Sequence, residues 1–471
     1  MLLIVYFYRK KAIEPEIPHI IEDEKVDNSP AMRIIRIVLG VILSIFLVFF
    51  MLTFILLIPR VQNFIVNKTT TYLSKEWGTK VSIDELVLDP IKQLQIKGLI
   101  IYDKRNDTLL YAGRTYVGFS KNIFELFSNK FSIKKIELDN AVIHTKRHNL
   151  QEGYNYQFLI DYFGGNDTVP SKSDFRLDVK NLKIKNTKFS QNDFVQGNQL
   201  KMEFPNGVVN LDQLDLIRNS FAIKDIILED PFISVEKNFP KSALEAIADR
   251  EKSETNTVKA PKEPLDMSID IVKIKNGRFM LHNWRRTPKR TIGASYFDYD
   301  HLDIGDINLS LECIQSKDLD FVGKINQIQA KADNGFALEE FNAQEAKISS
   351  RRTELNGVYV KTQKSIMQDT IIFKYLGFDS FHDFNDKVIM EGKLKNSNIK
   401  VEDIITFAYK LDQNSFFKRI RSENLKIDGR IQGKVNSLRA DDLQVSLGNL
   451  VSIKGNFSTK NLAIPQEEML N

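Results

Sequence analysis

The chain has 471 residues, which is enough for roughly two to four ordinary domains with cores of useful size. Hydrophobic residues make up 42% and charged residues 27%, a balance that excludes disorder for the bulk of the chain. The 66 basic and 61 acidic side chains leave a net charge of +5, which is too dilute for a nucleic-acid-binding surface. Cys313 is the only cysteine, so disulfides within the chain and zinc sites built on paired cysteines are excluded.

An uncharged apolar segment occupies residues 37–58, and only one glycine and two small hydroxyl residues interrupt it. At about 1.5 Å per residue a helix of this length reaches about 33 Å, which matches the hydrocarbon core of a bilayer. The segment runs into Pro59 and Arg60 without a small-residue cleavage pattern. We therefore predict an uncleaved transmembrane signal anchor and a single-pass membrane protein.

The basic residues on the two sides of this segment are similar in number, but Arg33 and Arg36 lie nearest to it. Basic residues favour the cytoplasmic side of a membrane span. We therefore expect residues 1–36 to form a cytoplasmic N-terminal tail and the bulk of the chain to be periplasmic.

Residues 59–77 carry apolar side chains at helical spacing and are followed by Gly78, a helix stop signal. This pattern predicts a juxtamembrane amphipathic helix. From residue 78 to residue 471, short apolar and polar alternations with frequent turn residues predict strands. Short helices are expected at 122–128, 155–163 and 241–252, and polar loops at 164–174 and 253–264.

An internal pattern recurs through this β region, with apolar residues at offsets 0, 3, 5 and 10 and Asn or Asp at offset 7. The first four matches start 46, 44 and 46 residues apart. The matches start at Ile133, Val179, Ile223, Ile269 and Tyr299, with weaker ones at Leu338 and Ile389.

Offsets 3 and 5 lie on one face of a strand, and Asn or Asp at offset 7 tolerates the left-handed conformation that permits a turn or bulge. Alternation then resumes at offset 10 with reversed parity. Charged residues fill the positions between the apolar ones. The pattern therefore predicts a curved sheet with one apolar and one charged face.

The apolar face of such a sheet must contact something other than water. The sequence supplies too little helix to cover it along its length, so a groove open to an apolar ligand stands beside the alternative of a packed core. The expected lining residues of the groove are Ile136, Leu138, Leu182, Ile184, Ile226, Leu228, Val272 and Ile274.

Motifs for catalysis, cofactors and metals are missing from the sequence. It has no dinucleotide-binding, P-loop or zinc-protease motif, and its six histidines lack metal-ligand spacing. The acidic series from Asp298 to Asp306 lacks the glycine and the distal glutamate of a calcium loop, and it alternates as a strand. We predict no enzymatic activity, no metal and no cofactor.

The densest basic cluster surrounds Pro288. Two interpretations remain open: contact with anionic lipid headgroups, or a solvated turn. The cluster consists of Arg285, Arg286, Lys289 and Arg290.

Four stretches, in this order after the apolar segment, resemble the N-terminal portion of the AsmA-like translocation and assembly module (TamB) family of Bacteroidota. They are IPRVQNFIVNKTTTYLSKEWGTKVSID from Ile58, LIIYDKRNDTLLYAGRTYVGFS from Leu99, FSIKKIELDNAVI from Phe131 and YNYQFLIDYF from Tyr154. The resemblance implies an inner-membrane anchor, a long periplasmic β-groove and an outer-membrane barrel partner of the Omp85 type. It also implies roles in outer-membrane protein assembly and phospholipid passage, and a chain that continues beyond residue 471.

The fold class expected is mainly β, with a transmembrane helix and an amphipathic helix before an elongated, repetitive groove with short helical insertions. The function expected is an inner-membrane-anchored bridge that shields phospholipid acyl chains and supports outer-membrane assembly. The second hypothesis is a structural scaffold that pairs its sheet edges with nascent barrel strands. The third and least favoured hypothesis is an envelope hydrolase, because the sequence lacks catalytic motifs.

Overall fold

The computed structural model describes residues 30–89, 93–119, 132–149, 151–164, 176–215, 220–239, 266–288, 295–317, 320–449 and 451–458. The chain divides into two compact units, Met1–Leu56 and Leu57–Asn471. The short helices expected at 122–128 and 241–252, the polar loop at 253–264 and most of the loop at 164–174 lie outside the described residues.

The first unit contains one described helix, α1 (Pro30–Leu56). Its large apolar side chains from Ile37 to Phe54 are exposed wherever they are described. None of the helices in the described residues combines the length and hydropathy that crossing a membrane requires.

The second unit begins with α2 (Pro59–Trp77), which covers the residues where the sequence predicts an amphipathic helix. Proline at its first turn lacks only an amide that would be unpaired there anyway, and Gly78 ends it in a left-handed conformation at φ 64°. The next described helix, α3 (Gln157–Gly164), lies where the apolar spacing predicts one. The later helices are α4 (Phe384–Lys387), α5 (Val401–Phe407) and α6 (Ser415–Arg419), with 3-10 helices at Phe378–Asp383 and Tyr409–Gln413.

The second unit is mainly β, as the sequence predicts, and its nineteen described strands form one mixed sheet. The strands are β1 (Val81–Ser82), β2 (Glu85–Asp89), β3 (Gln93–Tyr102), β4 (Thr108–Phe119), β5 (Ser132–Arg147), β6 (Arg176–Asp193), β7 (Asn198–Asp215), β8 (Ser220–Glu229), β9 (Phe232–Lys237), β10 (Asp266–Asn283), β11 (His301–Lys317), β12 (Asp320–Ala332), β13 (Ala337–Ile348), β14 (Arg352–Thr362), β15 (Ile366–Lys374), β16 (Ile389–Lys400), β17 (Asn424–Lys434), β18 (Ser437–Leu447) and β19 (Val451–Ser458).

Neighbouring strands in the sheet follow chain order, with two local exceptions. Strands β1 and β2 both pair with β3, and β8 and β9 are two halves of one strand between β7 and β10. Most pairs are antiparallel, but β5 with β6, and β8 and β9 with β10, are parallel. Parallel neighbours require a long crossover connection, and the chain makes one after β5 and another after β9.

The parallel pairs explain the 46-residue spacing of the sequence pattern. Ile136 pairs with Leu182 in β5 and β6, and Ile226 pairs with Val272 in β8 and β10. Each partner lies 46 residues further along the chain. Equivalent residues of the first and second matches, and of the third and fourth, are therefore side by side in the sheet, whereas β7 separates the second match from the third.

The Asn or Asp at offset 7 adopts the left-handed conformation in all five strong matches, as predicted. The φ values are 57° at Asn140, 44° at Asn186, 53° at Asp230, 53° at Asn276 and 50° at Asp306. The weaker match at Ile389 has the same conformation at Asn396, whereas Glu345 in the match at Leu338 does not. The strands that contain these six residues therefore bend at the position where the pattern changes parity.

Two helical clusters pack on this sheet. The first joins Trp77 of α2 and Phe158 of α3 to Val81, Ile101 and Leu109 of the early strands. The second joins α5 and its neighbours to β16, β17 and β18. In the described part of the chain, the main helix–strand contacts lie at these two places and not on the strands between them.

Candidate functional site

The eight predicted lining residues occupy two adjacent rows across the sheet. In the first row Ile136 pairs with Leu182, and Ile226 pairs with Val272. The second row lies two residues further along each strand and contains Leu138, Ile184, Leu228 and Ile274. Register partners project to the same side of a sheet, so all eight side chains share one face, here named the apolar face.

Strand β7 completes both rows with residues that the sequence pattern did not identify. Val209 lies between Leu182 and Ile226 in the first row. Gly207 holds the corresponding position between Ile184 and Leu228 in the second row. The pattern misses β7 because the residues of this strand do not follow the offset template.

Gly207 brings two side chains together over its backbone. A Cβ atom at this position would lie 2.6 Å from Cγ1 of Ile184 and 2.9 Å from Cδ2 of Leu228. Both distances are shorter than van der Waals contact. The missing side chain therefore lets Ile184 and Leu228 close the second row without a gap.

The first row continues on both sides of the eight residues. Val117 of β4 pairs with Ile136, Leu311 of β11 pairs with Val272, and Ile325 of β12 pairs with Leu311. At about 4.8 Å between strands, the row from β4 to β12 is about 34 Å long. This exceeds the hydrocarbon depth of one bilayer leaflet, about 15 Å, so the row is long enough for an extended acyl chain.

Apart from the buried Val117, the side chains of both rows are half-buried, so they are neither sealed in a core nor fully open to water. Complete burial of large apolar side chains occurs under the second helical cluster, where Val401 and Ile405 have no exposed surface. The apolar face therefore has a partly accessible middle between two helix-covered regions of the described sheet.

The opposite face of these strands is mostly charged. Glu137 pairs with Lys183 in register, and its carboxylate lies 3.3 Å from Nζ of Lys185 and 3.6 Å from Nζ of Lys135. Val208 and Ile227 are exceptions, and Ile227 is exposed. The contrast between faces is strongest on β5 and β6.

The basic cluster is only partly described, because Lys289 and Arg290 lie outside the described residues. Arg285 donates to the backbone oxygens of Asn238, at 2.8 Å, and Gln196. It also donates to Oδ1 of Asn198, at 3.1 Å. Nε of Arg286 lies 3.8 Å from the buried Asp300 carboxylate. Arg285 therefore joins the end of β9 to the β6–β7 turn within this chain.

No group of three or more His, Cys, Asp or Glu side chains in the described residues is arranged to hold a metal ion. In the acidic series, Asp298 lies 3.1 Å from Nδ1 of His301. Arg278 donates two hydrogen bonds to Asp303, at 3.0 and 2.6 Å, and these lower the pKa of that carboxyl group. These contacts order the start of β11.

A cavity of about 90 Å³ lies between α5 and the neighbouring turns, with Phe336, Thr362 and Asp403 among its lining residues. Small-molecule sites usually enclose about 300 to 1,000 Å³, so this cavity is too small for such a ligand. The rows of the apolar face are the larger candidate site.

No protein-family profile and no curated protein sequence matches this chain. Support for a function therefore comes from the residues and register of the sheet.

Proposed function

We propose that this chain is a non-enzymatic, inner-membrane-anchored bridge protein of the AsmA-like type. Its apolar face shields phospholipid acyl chains, and it supports lipid and protein assembly of the outer membrane with an Omp85-type barrel partner. Residues 37–58 provide the anchor, and the β region is periplasmic. The exposed apolar side chains of α1 support the anchor.

The observation that carries the proposal is the alignment of apolar side chains in register across β4 to β12. Exposing a 16-carbon acyl chain to water costs a free energy on the order of 13 kcal/mol, at about 0.8 kcal/mol per methylene. A row of half-buried aliphatic side chains replaces that water contact along the length of the chain. Many similar side chains in sequence also let an acyl chain slide without a deep energy minimum.

The test replaces two neighbouring residues with the same side chain. Ile184→Gln places an amide on the apolar face, whereas Lys183→Gln places it on the charged face of the same strand. Burial of an unpaired amide costs about 1–3 kcal/mol, so the first change should lower lipid co-purification about tenfold or more. Lys183→Gln should leave it unchanged.

Glutamine is preferred to glutamate in this comparison because Lys183 pairs with Glu137, and a second carboxylate there would add repulsion of its own. Lipids that co-purify from detergent extracts are quantified by mass spectrometry, with equal protein levels and equal protease resistance as the folding control. Equal lipid loss in both variants, with folding intact, would contradict an acyl-binding face.

A second candidate function is an edge-pairing scaffold for barrel strands. Within the described residues β19 pairs only with β18, and its Val451 and Ile453 side chains are exposed. An unpaired edge of this kind can accept another strand through backbone hydrogen bonds. This function predicts that Ile184→Gln and Lys183→Gln behave alike, because neither changes an edge.

A further inference from the structure

Two helical insertions leave the sheet and return to it at register pairs. The first insertion, residues 375–388, begins and ends beside Lys374 and Ile389, which pair with each other. The second insertion, residues 401–423, begins and ends beside Lys400 and Asn424, which also pair. The strand ladders are therefore complete without either insertion.

The second insertion packs on the apolar face. Register pairs carry the second row from Ile274 to Met367 of β15, and Met367 packs in one cluster with Leu425 and Ile427 of β17. Leu425 also contacts the cluster that contains Val401 and Ile405 of α5. Between Ile274 and Met367 the second row contains Leu309, Ile328, Phe341 and Val360. The second insertion thus covers the surface along which this row would continue.

The two insertions contact each other and a common segment before β11. Nζ of Lys410 in the second insertion lies 3.1 Å from Oδ2 of Asp386 in the first. The rings of Phe297 and Phe407 stack at 4.8 Å, and those of Tyr299 and Phe384 stack at 6.3 Å. The insertions therefore form one body, here named the plug, across the face of the later strands.

Polar contacts hold the plug at its margin. The buried Asp403 carboxylate accepts hydrogen bonds from the hydroxyls of Thr362, at 2.7 Å, and Ser365, at 2.6 Å. Lys364 in the same turn lies 2.7 Å from Glu402. On the other side, Asp412 accepts hydrogen bonds from Arg421, at 3.1 Å, and from the Tyr296 hydroxyl.

We propose that the plug is a gate on the apolar face, and that the structure has this gate closed. The inference rests on the proposed acyl-binding function. It adds the position on the sheet at which a bound lipid is stopped. An acyl chain on β5 to β14 ends against the plug and reaches β19 only when the plug swings out. Each insertion begins and ends at a register pair, so its movement leaves the pairing of the named strands intact. The backbone hydrogen bonds from Tyr375 to Arg351 and from Phe297 to Thr406 are the ones that have to break.

Two features of the plug contribute little to holding it closed. The helices of the plug are four to seven residues long, and helices this short are unstable without their packing. Exposed ion pairs such as Lys364 with Glu402 contribute about 0–1 kcal/mol each. These elements resist opening only weakly, and the main free-energy cost of opening is the exposure of the buried Val401 and Ile405 side chains.

The experiment bridges the plug to the β14–β15 turn in the full chain. Ser365→Cys and Asp403→Cys are combined in a Cys313→Ser background and joined by oxidation or by a short dithiol-reactive linker. A photo-reactive amino acid replaces Ile184 before the plug or Ile453 beyond it. Ile453 lies on the same face through Val445 and Ile427, and its side chain is 45% exposed.

With thiols reduced, lipid crosslinks are expected at both positions. With the bridge closed, crosslinking at position 453 should fall at least fivefold, while crosslinking at position 184 stays unchanged. Each single-cysteine variant, treated in the same way, should show no difference.

Equal crosslinking at position 453 in bridged and reduced protein would overturn the gate. Crosslinks at position 184 but none at 453 in either state would also overturn it and make the plug a permanent stop. Absence of crosslinks at both positions in both states would instead refute the acyl-binding function on which the gate rests.

Discussion

The side-chain amide of Asn276 donates a 2.7 Å hydrogen bond to the carboxylate of Asp230, and both residues have a φ of 53°. They lie 46 residues apart in the chain but next to each other in the sheet, where β8 and β9 meet β10. Neighbouring strands therefore bend at the same level. The hydrogen bond couples two left-handed residues that the sequence pattern placed at the same offset.

The left-handed conformation at Asn276 predicts an order of stability among substitutions. Asn276→Gly loses the hydrogen bond but keeps the conformation, at a cost of about 0.5–1.5 kcal/mol. Asn276→Val loses the bond and adds the strain of a β-branched residue at positive φ, about 1–2 kcal/mol more. Urea denaturation of the two variants measures the difference, and a valine variant as stable as the glycine variant would contradict the assignment.

Close packing over Gly207 predicts a different outcome for alanine at two strand glycines. Gly207→Ala forces Ile184 and Leu228 apart and should lower the free energy of unfolding by about 1–3 kcal/mol. At Gly305 of β11, a Cβ atom would have no neighbouring atom within 4 Å, so Gly305→Ala should be neutral or slightly stabilising. Thermal and urea denaturation of the two variants compares them directly.

The ion pairs of the plug predict a dependence on acid pH. Hydrogen bonds from Lys364 and Lys410 lower the pKa values of Glu402 and Asp386, respectively. A carboxyl group with a lower pKa in the folded state stabilises that state above its unfolded pKa, and this stabilisation is lost as pH falls through the folded pKa. The plug should therefore loosen as pH falls below about 4.

Hydrogen exchange measured by mass spectrometry, corrected for intrinsic rates, tests this dependence. Amides of residues 401–413 should lose protection on acidification more than those of β6. Lys364→Met should reduce the loss of protection that acidification causes, because Glu402 then lacks its ion-pair partner at every pH. Equal loss of protection in the plug and in β6 would show that these pairs do not control it.

The proposed anchor predicts which compartment contains the β region. Lys188 of β6 has an exposed side chain on the charged face, so Lys188→Cys in a Cys313→Ser background offers an accessible thiol. A maleimide that crosses the outer membrane but not the inner membrane should label it in intact cells. Labelling only after lysis would place the β region in the cytoplasm.

Local patterns in the sequence were sufficient for the class of structure and for individual backbone conformations. Alternating apolar residues indicated strands, and the Asn or Asp at offset 7 indicated left-handed bends because short polar side chains tolerate that conformation. The helix at Gln157–Gly164 was predicted from its apolar spacing. These features depend on interactions within a few residues, so the sequence of each segment suffices.

The plug could not be predicted in the same way. Its helices are too short to show a helical period, and Val401, Ile405 and Leu411 become a core only when residues from β16, β17 and β18 meet them. The packing role of Gly207 could not be predicted either, because a glycine within a strand has no side chain that contributes to a hydrophobic pattern. Its role depends on Ile184 and Leu228 approaching from two other strands.

The sequence alone therefore determined that this protein is mainly β, with strands that bend at defined Asn and Asp residues and carry apolar side chains at fixed offsets. Only the tertiary structure decided which strands are neighbours, and thus that the offsets align into rows and that two insertions cover one end of them. Strand order and register depend on contacts between residues far apart in the chain, and a pattern that repeats in many strands is compatible with many pairings.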